Sequence, residues 1–494
     1  MKIDAEKDYY SILGVPQSAT DEEIKHAYRA LARRYHPDSR MESAPTTLFY
    51  EVQAAYSVLN DPDSRRAYER QRATLGLDEE QALSWEILPS RDQLYALHEE
   101  QTIYFLVDIQ ANSDARGKRL PLNLCLVVDR STSMQGARLE HVKQAAHQII
   151  DELYDDDALS VVVFSDRAKV VLPSQVDINR TQAKAKISTI WASGGTEILQ
   201  GIQSGLEELE KRHSDRRTSH LILLTDGQTY GDDEECIAEA HRAGARRIGI
   251  TAMGIGEGWN DTLLDEVAAQ SGGVSAYIAS PSQVRALLRQ RVRGLGSVFA
   301  QGLTLKPRCA EGVWVENVFR TSPYLERLAM TDGAISLGSL QADVPLTIVL
   351  EVGVKQKPVG EHRLLQFELT GDIPALGRQG DKLRRDVMCA FMSTKPPFQP
   401  VPTSILRALS KAALYRMQER AWDALGNGDA KTATHQLEMV ATRLFDLGET
   451  QLARAAMLEA GRISKGVTPT PRGRKELKYG TRSLTIASWS KPHD

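Results

Sequence analysis

The chain has 494 residues, which is too long for a single compact core, so about three domains are expected. Its 61 basic and 65 acidic residues give a net charge of −4, and this balance argues against bulk binding of nucleic acid. The four cysteines include no CxxC pair, so neither a zinc site nor a disulfide framework is indicated.

The first residues, "MKIDAEKDYY", lack the apolar core of a signal peptide. No stretch of the sequence reaches the about 18 apolar residues of a membrane span. We therefore expect a protein without a membrane span, in a reducing, cytoplasmic location.

Residues 5–72 have the pattern of an antiparallel helical hairpin. Apolar side chains recur at helical spacing from Ile24 to Tyr35, beside a separate line of basic residues, and a second helix is predicted near Thr46–Leu59. Between the two helices lies the sequence "HPDSR", whose proline disfavours helical geometry at the preceding histidine. A polar loop is therefore expected at the tip of the hairpin.

The "HPD" triplet in this loop has three interpretations. The first is a catalytic His–Asp pair, but no nucleophile or pocket is apparent on so small a hairpin. The second and simplest interpretation is a proline-containing turn between the helices. The third depends on "DYYSILGV", "AYRALARRYHPD" and "AAYSVLNDPDSRRAYE", which resemble a J-domain along its whole length. The resemblance implies that the triplet and the basic face of the preceding helix dock onto a heat-shock ATPase chaperone and stimulate ATP hydrolysis. The implied docking residues are His36, Pro37, Asp38, Lys25, Arg29 and Arg33.

The sequence departs from the fuller cochaperone pattern in two ways. It has no glycine/phenylalanine-rich linker, and it has no CxxCxGxG zinc repeat. We therefore expect the rest of the chain, rather than a generic client-holding module, to select the clients.

Residues 119–296 alternate between strand and helix patterns. Four continuous apolar runs, "LNLCLVVD", "ALSVVVFS", "HLILLTDG" and "IGITAMGIG", are typical of buried parallel strands, and helical patterns follow them. This alternation predicts a doubly wound, Rossmann-like α/β domain.

Hard oxygen donors follow the strands of this predicted domain. Asp129, Ser131 and Ser133 come directly after the first strand. Asp226 ends a later strand, and Thr196 lies at a helix start that passes the same edge. Because ligands bind beyond the carboxyl ends of the strands in open α/β sheets, we expect the five side chains to converge. An oxygen-only set suits Mg²⁺, while the alternative is that these residues only cap helices.

The same five residues resemble the metal-ion-dependent adhesion site of von Willebrand factor type A domains. The resemblance implies that both serines bind the metal directly, that both aspartates act through waters, and that the threonine binds directly or through a water. It also implies that the sixth coordination position of the metal is left for an acidic residue of a protein partner. The domain itself is implied to perform no chemical reaction. Arg130 fills a variable position, from which it could steer an acidic partner.

The segment "MGIGEGWNDTLL" has glycines that follow a strand and precede a helix, as in a dinucleotide-binding fingerprint. Such a fingerprint needs glycine at a position where this chain has Trp259. We therefore predict a glycine-rich turn and no nucleotide here.

Strand patterns dominate on both sides of the α/β domain and predict a β-sandwich into which that domain is inserted. A later segment repeats small and apolar residues around glycine-containing turns and resembles tetratricopeptide-type helix pairs. The last segment is basic and has little apolar pattern, which predicts a flexible tail; the alternative is a docking peptide phosphorylated at Thr481 or Ser483.

The predicted units are a J-domain at 5–72, a linker at 73–82, sandwich strands at 83–118, the type A domain at 119–296, further sandwich strands at 297–395, helices at 403–465 and the tail at 466–494.

Together these features predict a cytoplasmic cochaperone adaptor that is not itself an enzyme. Its J-domain would recruit and stimulate a heat-shock ATPase chaperone, and its type A domain would bind an acidic-residue-bearing protein partner through Mg²⁺ or another divalent cation. One alternative is a metal-dependent assembly scaffold with an accessory J-domain. Another is a metallohydrolase that uses Asp129 and Asp226, but no general base is apparent near them.

Overall fold

The structure is a computed structural model of the chain, and it describes residues 7, 9–15, 19–35, 46–74, 82–96, 98–112, 119–229, 231–396 and 398–484. The described part contains an N-terminal helical unit, a β-sandwich, an α/β domain and a C-terminal helical unit. Within these ranges, no helix combines the length and the apolar character that crossing a bilayer requires.

The N-terminal unit consists of α1 (Tyr9–Leu13), α2 (Asp21–Tyr35), α3 (Thr46–Leu59) and α4 (Pro62–Thr74). Thr20 and Glu23 form a capping box at the start of α2, in which Thr20 N donates to Glu23 Oε2 at 2.7 Å and Glu23 N donates to Thr20 Oγ1 at 3.3 Å. The stacked rings of Tyr28 and Tyr56, with centroids 3.9 Å apart, join α2 to α3. The predicted helical hairpin is confirmed, while its "HPD" tip lies outside the described residues.

Three strands follow, β1 (Leu83–Pro89), β2 (Gln93–Tyr95) and β3 (Gln101–Ala111), and the α/β domain comes after them. The strands of that domain are β4 (Leu122–Asp129), β5 (Ala158–Phe164), β6 (Ala168–Gln175), β7 (Thr218–Thr225), β8 (Gly249–Ile255) and β9 (Ser275–Ile278). Its helices are α5 (Ala137–Glu152), α6 (Arg180–Ser188), α7 (Ile198–Glu210), α8 (Asp233–Ala245), α9 (Asp261–Ser271) and α10 (Val284–Gly296).

The sheet of the α/β domain has the order β6-β5-β4-β7-β8-β9, and its neighbours are parallel except for β5 and β6. Apolar clusters cover both faces, so β4, β5 and β7 are buried along their whole length. The doubly wound fold is therefore confirmed. The carboxyl ends of β4, β7 and β8 lie side by side at one edge of the sheet.

The sandwich is completed by β10 (Val298–Cys309), β11 (Val313–Ser322), β12 (Glu326–Arg327), β13 (Met330–Thr331), β14 (Ala334–Gln341), β15 (Leu346–Val354), β16 (Gly360–Ile373) and β17 (Arg378–Met392). One sheet has the order β1-β3-β15-β11-β12 and the other has the order β13-β14-β10-β16-β17-β2. Because β3 pairs with β15 across the inserted domain, the predicted discontinuous sandwich is confirmed. Phe105 and Phe367 meet edge to face in its core, with ring centroids 6.2 Å apart.

The C-terminal unit consists of α11 (Thr403–Gly426), α12 (Ala430–Asp446), α13 (Thr450–Ser464) and α14 (Pro471–Arg482). Its core is rich in alanine, which lets the helices approach closely. The first turns of α11 pack on the sandwich, where Ile405 and Ala408 join a buried cluster with Phe319 and Leu106.

The flexible tail predicted at 466–494 is corrected by the structure, because α14 lies inside it. Thr470 caps this helix by accepting a hydrogen bond from Gly473 N at 2.9 Å, and Leu477 and Tyr479 are buried. Two of the basic residues that suggested an exposed tail, Lys478 and Arg482, instead pair with acidic residues of α9. Residues 485–494 lie outside the described ranges.

The two predicted phosphorylation positions differ in their surroundings. Thr481 is fully buried, and its hydroxyl donates to Gln418 Oε1 at 2.8 Å, so a kinase has no access to it while α14 is docked. This part of the hypothesis is therefore corrected. Ser483 is exposed, and its phosphorylation stays a prediction.

Candidate metal centre

Asp129 ends β4, and both oxygens of its buried carboxylate have a partner. Ser131 N donates to Oδ1 and Thr225 Oγ1 donates to Oδ2, each at 2.7 Å. Burial raises the pKa of Asp129, the hydrogen bonds from Thr225 and Ser131 oppose this shift, and the charge of Asp226 adds to it. A cation at this edge would therefore lower the free-energy cost of keeping the carboxylate ionised.

The serine hydroxyls link this carboxylate to the next strand. Ser131 Oγ and Ser133 Oγ are 3.0 Å apart, and Ser133 Oγ donates to Asp226 Oδ1 at 2.6 Å. Ser133 lies in a short 3-10 turn that follows β4, and this turn brings its hydroxyl next to that of Ser131. Four of the five predicted side chains are thus joined by consecutive contacts.

Thr196 lies in the loop that precedes α7. This loop is bonded to the segment after β4, because Thr132 N donates to Gly194 O at 3.1 Å. Gly227 directly follows Asp226, and a Cβ at Gly227 would lie only 2.8 Å from Thr196 Oγ1. The hydroxyl of Thr196 is therefore next to the chain segment that carries Asp226, and all five predicted side chains lie at one edge of the sheet.

The chemistry of these donors fits a hard divalent cation. The set contains two carboxylates and three hydroxyls, and oxygen-only sets suit Mg²⁺ or similar ions. In the part of the chain that the structure describes, no three or more His, Cys, Asp or Glu side chains are grouped so that they could hold a metal. A cation at this edge would therefore depend on the hydroxyl groups as well as on the two carboxylates.

Two side chains at this edge were not predicted from the sequence. Thr225 holds Asp129 from β7, and its position directly before Asp226 is the signal that could have revealed it. Arg138, in the first turn of α5, donates from Nη1 to Asp226 Oδ2 and to Ser133 O, the latter at 3.0 Å. No local pattern indicates the direction of this long side chain, because its partner Asp226 lies 88 residues further along the chain.

The predicted chaperone-docking face is described only in part. Lys25 and Arg29 are exposed, lie four residues apart on one side of α2, and form no ion pair within the described residues. The backbone of Arg33 continues this line in α2, but its side chain lies outside the described ranges. The remaining predicted docking residues, His36, Pro37 and Asp38, also lie outside them.

Three parts of the sequence match known families. They are the DnaJ domain at residues 8–69, the von Willebrand factor type A domain at residues 123–290, and the Sll0103-like, C-terminal alpha-helical domain at residues 403–487. The protein sll0103 of Synechocystis sp. is 31% identical over 385 residues, which cover 75% of this chain and 90% of that protein. The chain belongs to the Sll0103-like family.

This member of the Sll0103-like family carries a J-domain. It is 55% identical over 65 residues to the chaperone protein DnaJ 2 of Thermus thermophilus, and the match covers 13% of this chain but only 23% of that chaperone. The von Willebrand factor type A structure from Catenulispora acidiphila has a TM-score of 0.64 at 18% identity, covering 82% of this chain and 97% of that one. The predicted fusion of a J-domain with a type A domain is therefore confirmed.

Proposed function

We propose that this Sll0103-like protein is a cochaperone adaptor. Its J-domain recruits and stimulates a heat-shock ATPase chaperone, and its type A domain binds a second protein through a divalent cation. The observation that carries the proposal is that one chain joins the DnaJ match at 8–69 to an α/β edge at which five oxygen-bearing side chains meet. Both parts act by binding, so the chain itself performs no reaction, and we place its action in the cytoplasm.

The chaperone-binding arm acts through charge and through the "HPD" triplet. Lys25 and Arg29 present two exposed positive charges without a described acidic partner. Such a face attracts an acidic surface and speeds the encounter between the two proteins. The triplet at the end of α2 then completes the docking surface.

The partner-binding arm acts through Mg²⁺ as the favoured cation. The hydroxyls of Ser131 and Ser133 would hold this cation, Asp129 and Asp226 would supply the opposing charge, and Thr196 would add a further oxygen. When bound, the cation would supply positive charge at this edge, which would attract an Asp or Glu of the partner. A partner with an exposed acidic side chain is therefore the class that fits this edge.

The surroundings of the edge add an aromatic contact. Ser193 N donates to Arg130 O at 2.7 Å, and the Arg130 guanidinium donates to Ser193 Oγ. Trp191, two residues before Ser193, is 66% exposed. Tryptophan and arginine are residue types in which binding hot spots are enriched. We infer that the partner places a large apolar side chain beside its acidic residue, so that it packs on Trp191.

The chaperone arm is tested by single-turnover ATP hydrolysis with a purified heat-shock ATPase and the full chain. His36→Gln should abolish the stimulation that the wild type produces. His26→Gln is the matched control, because His26 is exposed on α2 but lies outside the implied docking set. Equal stimulation by wild type and His36→Gln would contradict the proposal.

The partner arm is tested by a pull-down with the full chain in Mg²⁺ and in chelator, followed by identification of the retained proteins. A true partner should be lost in chelator and should not bind Ser131→Ala or Asp129→Ala. Thr442→Ala, which removes an exposed hydroxyl of α12 that bonds Glu438 O, is the control and should retain the partner. Retention that is the same in all conditions would contradict metal dependence. A metal-dependent partner without any ATPase stimulation would favour the assembly scaffold instead.

A further inference from the structure

The glycine-rich turn between β8 and α9, residues 256–260, lies against the candidate metal centre. It follows β8, which neighbours β7, and so it leaves the sheet at the same edge as Asp226. A Cβ at Gly258 would lie 3.1 Å from the carbonyl oxygen of Asp226. The backbone of the turn thus packs directly on the backbone that carries this carboxylate, and we expect a displacement of the turn to shift Asp226.

Trp259 holds the turn from the side of the α/β domain. Its ring is buried, and its Nε1 donates to Gly256 O at 2.8 Å, which closes the turn on itself. Asn260 then caps α9 by accepting hydrogen bonds from the backbone N–H groups of Thr262 and Leu263, both at 3.1 Å. Tryptophan therefore serves the packing of the turn at the position where a dinucleotide fingerprint would need glycine.

Lys475 of α14 holds the same turn from the other side. Its Nζ donates to the carbonyl oxygens of Glu257 and Trp259, each at 2.7 Å, and lies 4.2 Å from the centre of the Trp259 ring. Lys475 is only 4% exposed and forms no ion pair with a described carboxylate. Burying an ammonium group has a high free-energy cost unless the group is hydrogen-bonded. The two carbonyl oxygens therefore stabilise the buried ammonium of Lys475.

Further contacts anchor α14 on α9, beside the turn. Lys478 Nζ lies 2.5 Å from Asp261 Oδ2 and 2.8 Å from Asp265 Oδ2. The Tyr479 hydroxyl donates to Asp265 Oδ1 at 2.7 Å, and Arg482 lies 3.0 Å from the other oxygen of that carboxylate. These contacts place α14 independently of the turn, so the ammonium of Lys475 reaches the turn from a fixed support.

We propose that Lys475 is a positioning residue for the metal centre, through which the C-terminal helical unit holds the 256–260 turn against Asp226. The inference rests on the proposed metal binding by the type A domain. It gives the C-terminal unit a function beyond packing, because that unit then sets the affinity for the cation. A contact that only supports the fold would change the free energy of unfolding and leave the metal affinity as it is.

The test measures Mg²⁺ affinity by calorimetry on the full chain. Lys475→Met keeps most of the apolar stem and removes the donors, and we expect the dissociation constant for Mg²⁺ to rise about fivefold to tenfold. Lys475→Arg keeps a charged donor in a larger group, so it should bind Mg²⁺ more tightly than Lys475→Met and more weakly than wild type. The control is Arg472→Met on the same helix, whose guanidinium bonds Glu476 rather than the turn, and it should leave the affinity unchanged. Faster amide exchange at residues 256–260 in Lys475→Met should accompany the weaker binding.

The outcomes separate this inference from the proposed function. Wild type that binds no Mg²⁺ would overturn this inference and the metal-dependent arm of the proposed function, whereas wild type and Lys475→Met that bind Mg²⁺ equally would overturn only the positioning role. Should Lys475→Met fail to fold, Lys475→Gln takes its place, because it keeps a polar side chain at this position and removes the ammonium that bonds Glu257 O and Trp259 O. The same criterion applies to it: weaker Mg²⁺ binding supports the inference, and unchanged binding overturns it.

Discussion

The guanidinium of Arg138 donates a hydrogen bond to Oδ2 of Asp226, while Ser133 donates to Oδ1 of the same carboxylate at 2.6 Å. Arg138 also donates to the carbonyl oxygen of Ser133 at 3.0 Å, so it contacts two of the five residues of the candidate metal centre. A fixed positive charge thus lies at the edge that we propose as a cation site. Arg138 and a bound cation would both interact with the carboxylate of Asp226. Because the two positive charges repel each other, each would weaken the interaction of the other with this carboxylate.

Arg138→Gln should therefore strengthen Mg²⁺ binding. Two unit charges about 4 Å apart near a protein surface interact by about 4 kcal/mol, and the partial exposure of Arg138 reduces this effect. We expect roughly a fivefold lower dissociation constant, or about 1 kcal/mol, measured by calorimetry on the full chain. Arg242→Gln, an exposed arginine of α8 that pairs with Glu239, should have no effect. Unchanged or weaker binding in Arg138→Gln would show that the guanidinium does not oppose the cation.

Trp191→Ala should weaken partner binding without changing Mg²⁺ affinity. Trp191 is exposed two residues before Ser193, which bonds Arg130, and it is not a member of the proposed ligand set. Truncation of a hot-spot tryptophan costs about 2 kcal/mol, so the partner's dissociation constant should rise roughly 30-fold. The measurement is calorimetry with the partner that the pull-down identifies.

A second exposed aromatic residue provides the control for this prediction. Tyr154 is 64% exposed on the same domain, but it precedes β5 and so lies towards the opposite edge of the sheet. Tyr154→Ala should leave partner binding unchanged. A loss of equal size in both variants would indicate a general effect of removing an aromatic ring, and it would argue against a contact at the metal edge.

The candidate metal centre could be predicted from the sequence because its residues follow buried strands. The apolar run that ends at Asp129 identifies a central strand, and strand ends of a doubly wound sheet meet at one edge. Arg138 could not be predicted, because its position depends on the direction of one long side chain. α14 was also missed, because its buried face includes lysine and tyrosine as well as leucine. Lys475 and Trp259 are 216 residues apart, and no local pattern reports such a contact.

The contact between α14 and α9 should weaken in acid. Burial by itself raises the pKa of Asp265, but Arg482 and Lys478 outweigh it and hold the pKa below its usual value of 3.8. A carboxylate whose pKa is lowered in the folded state stabilises that state fully above its unfolded-state pKa of about 4. The contribution is lost as the pH falls through the lower, folded-state value.

Asp265→Asn isolates this contribution. We expect wild type to exceed the variant by about 2 kcal/mol in free energy of unfolding between pH 5 and pH 7, and the difference to shrink below about pH 4. Urea denaturation of the full chain at each pH measures it. Asp155→Asn is the control, because the side chain of Asp155 is 94% exposed and its removal should change little at any pH. A difference that does not vary with pH would contradict the assignment to Asp265.

Arg29→Glu should weaken the productive encounter with the heat-shock ATPase while leaving the J-domain folded. Arg29 is exposed and has no described ion-pair partner, and the introduced carboxylate would lie four residues from both Lys25 and Arg33, a spacing that favours opposite charges on a helix. The fold should therefore tolerate the change. The chain concentration for half-maximal ATPase stimulation should rise at least about tenfold at low salt, and the difference from wild type should shrink as salt screens the charges. Arg66→Glu on α4 changes the net charge equally at an exposed arginine outside the implied face. If both variants lost stimulation equally, overall charge rather than the face of α2 would govern the encounter.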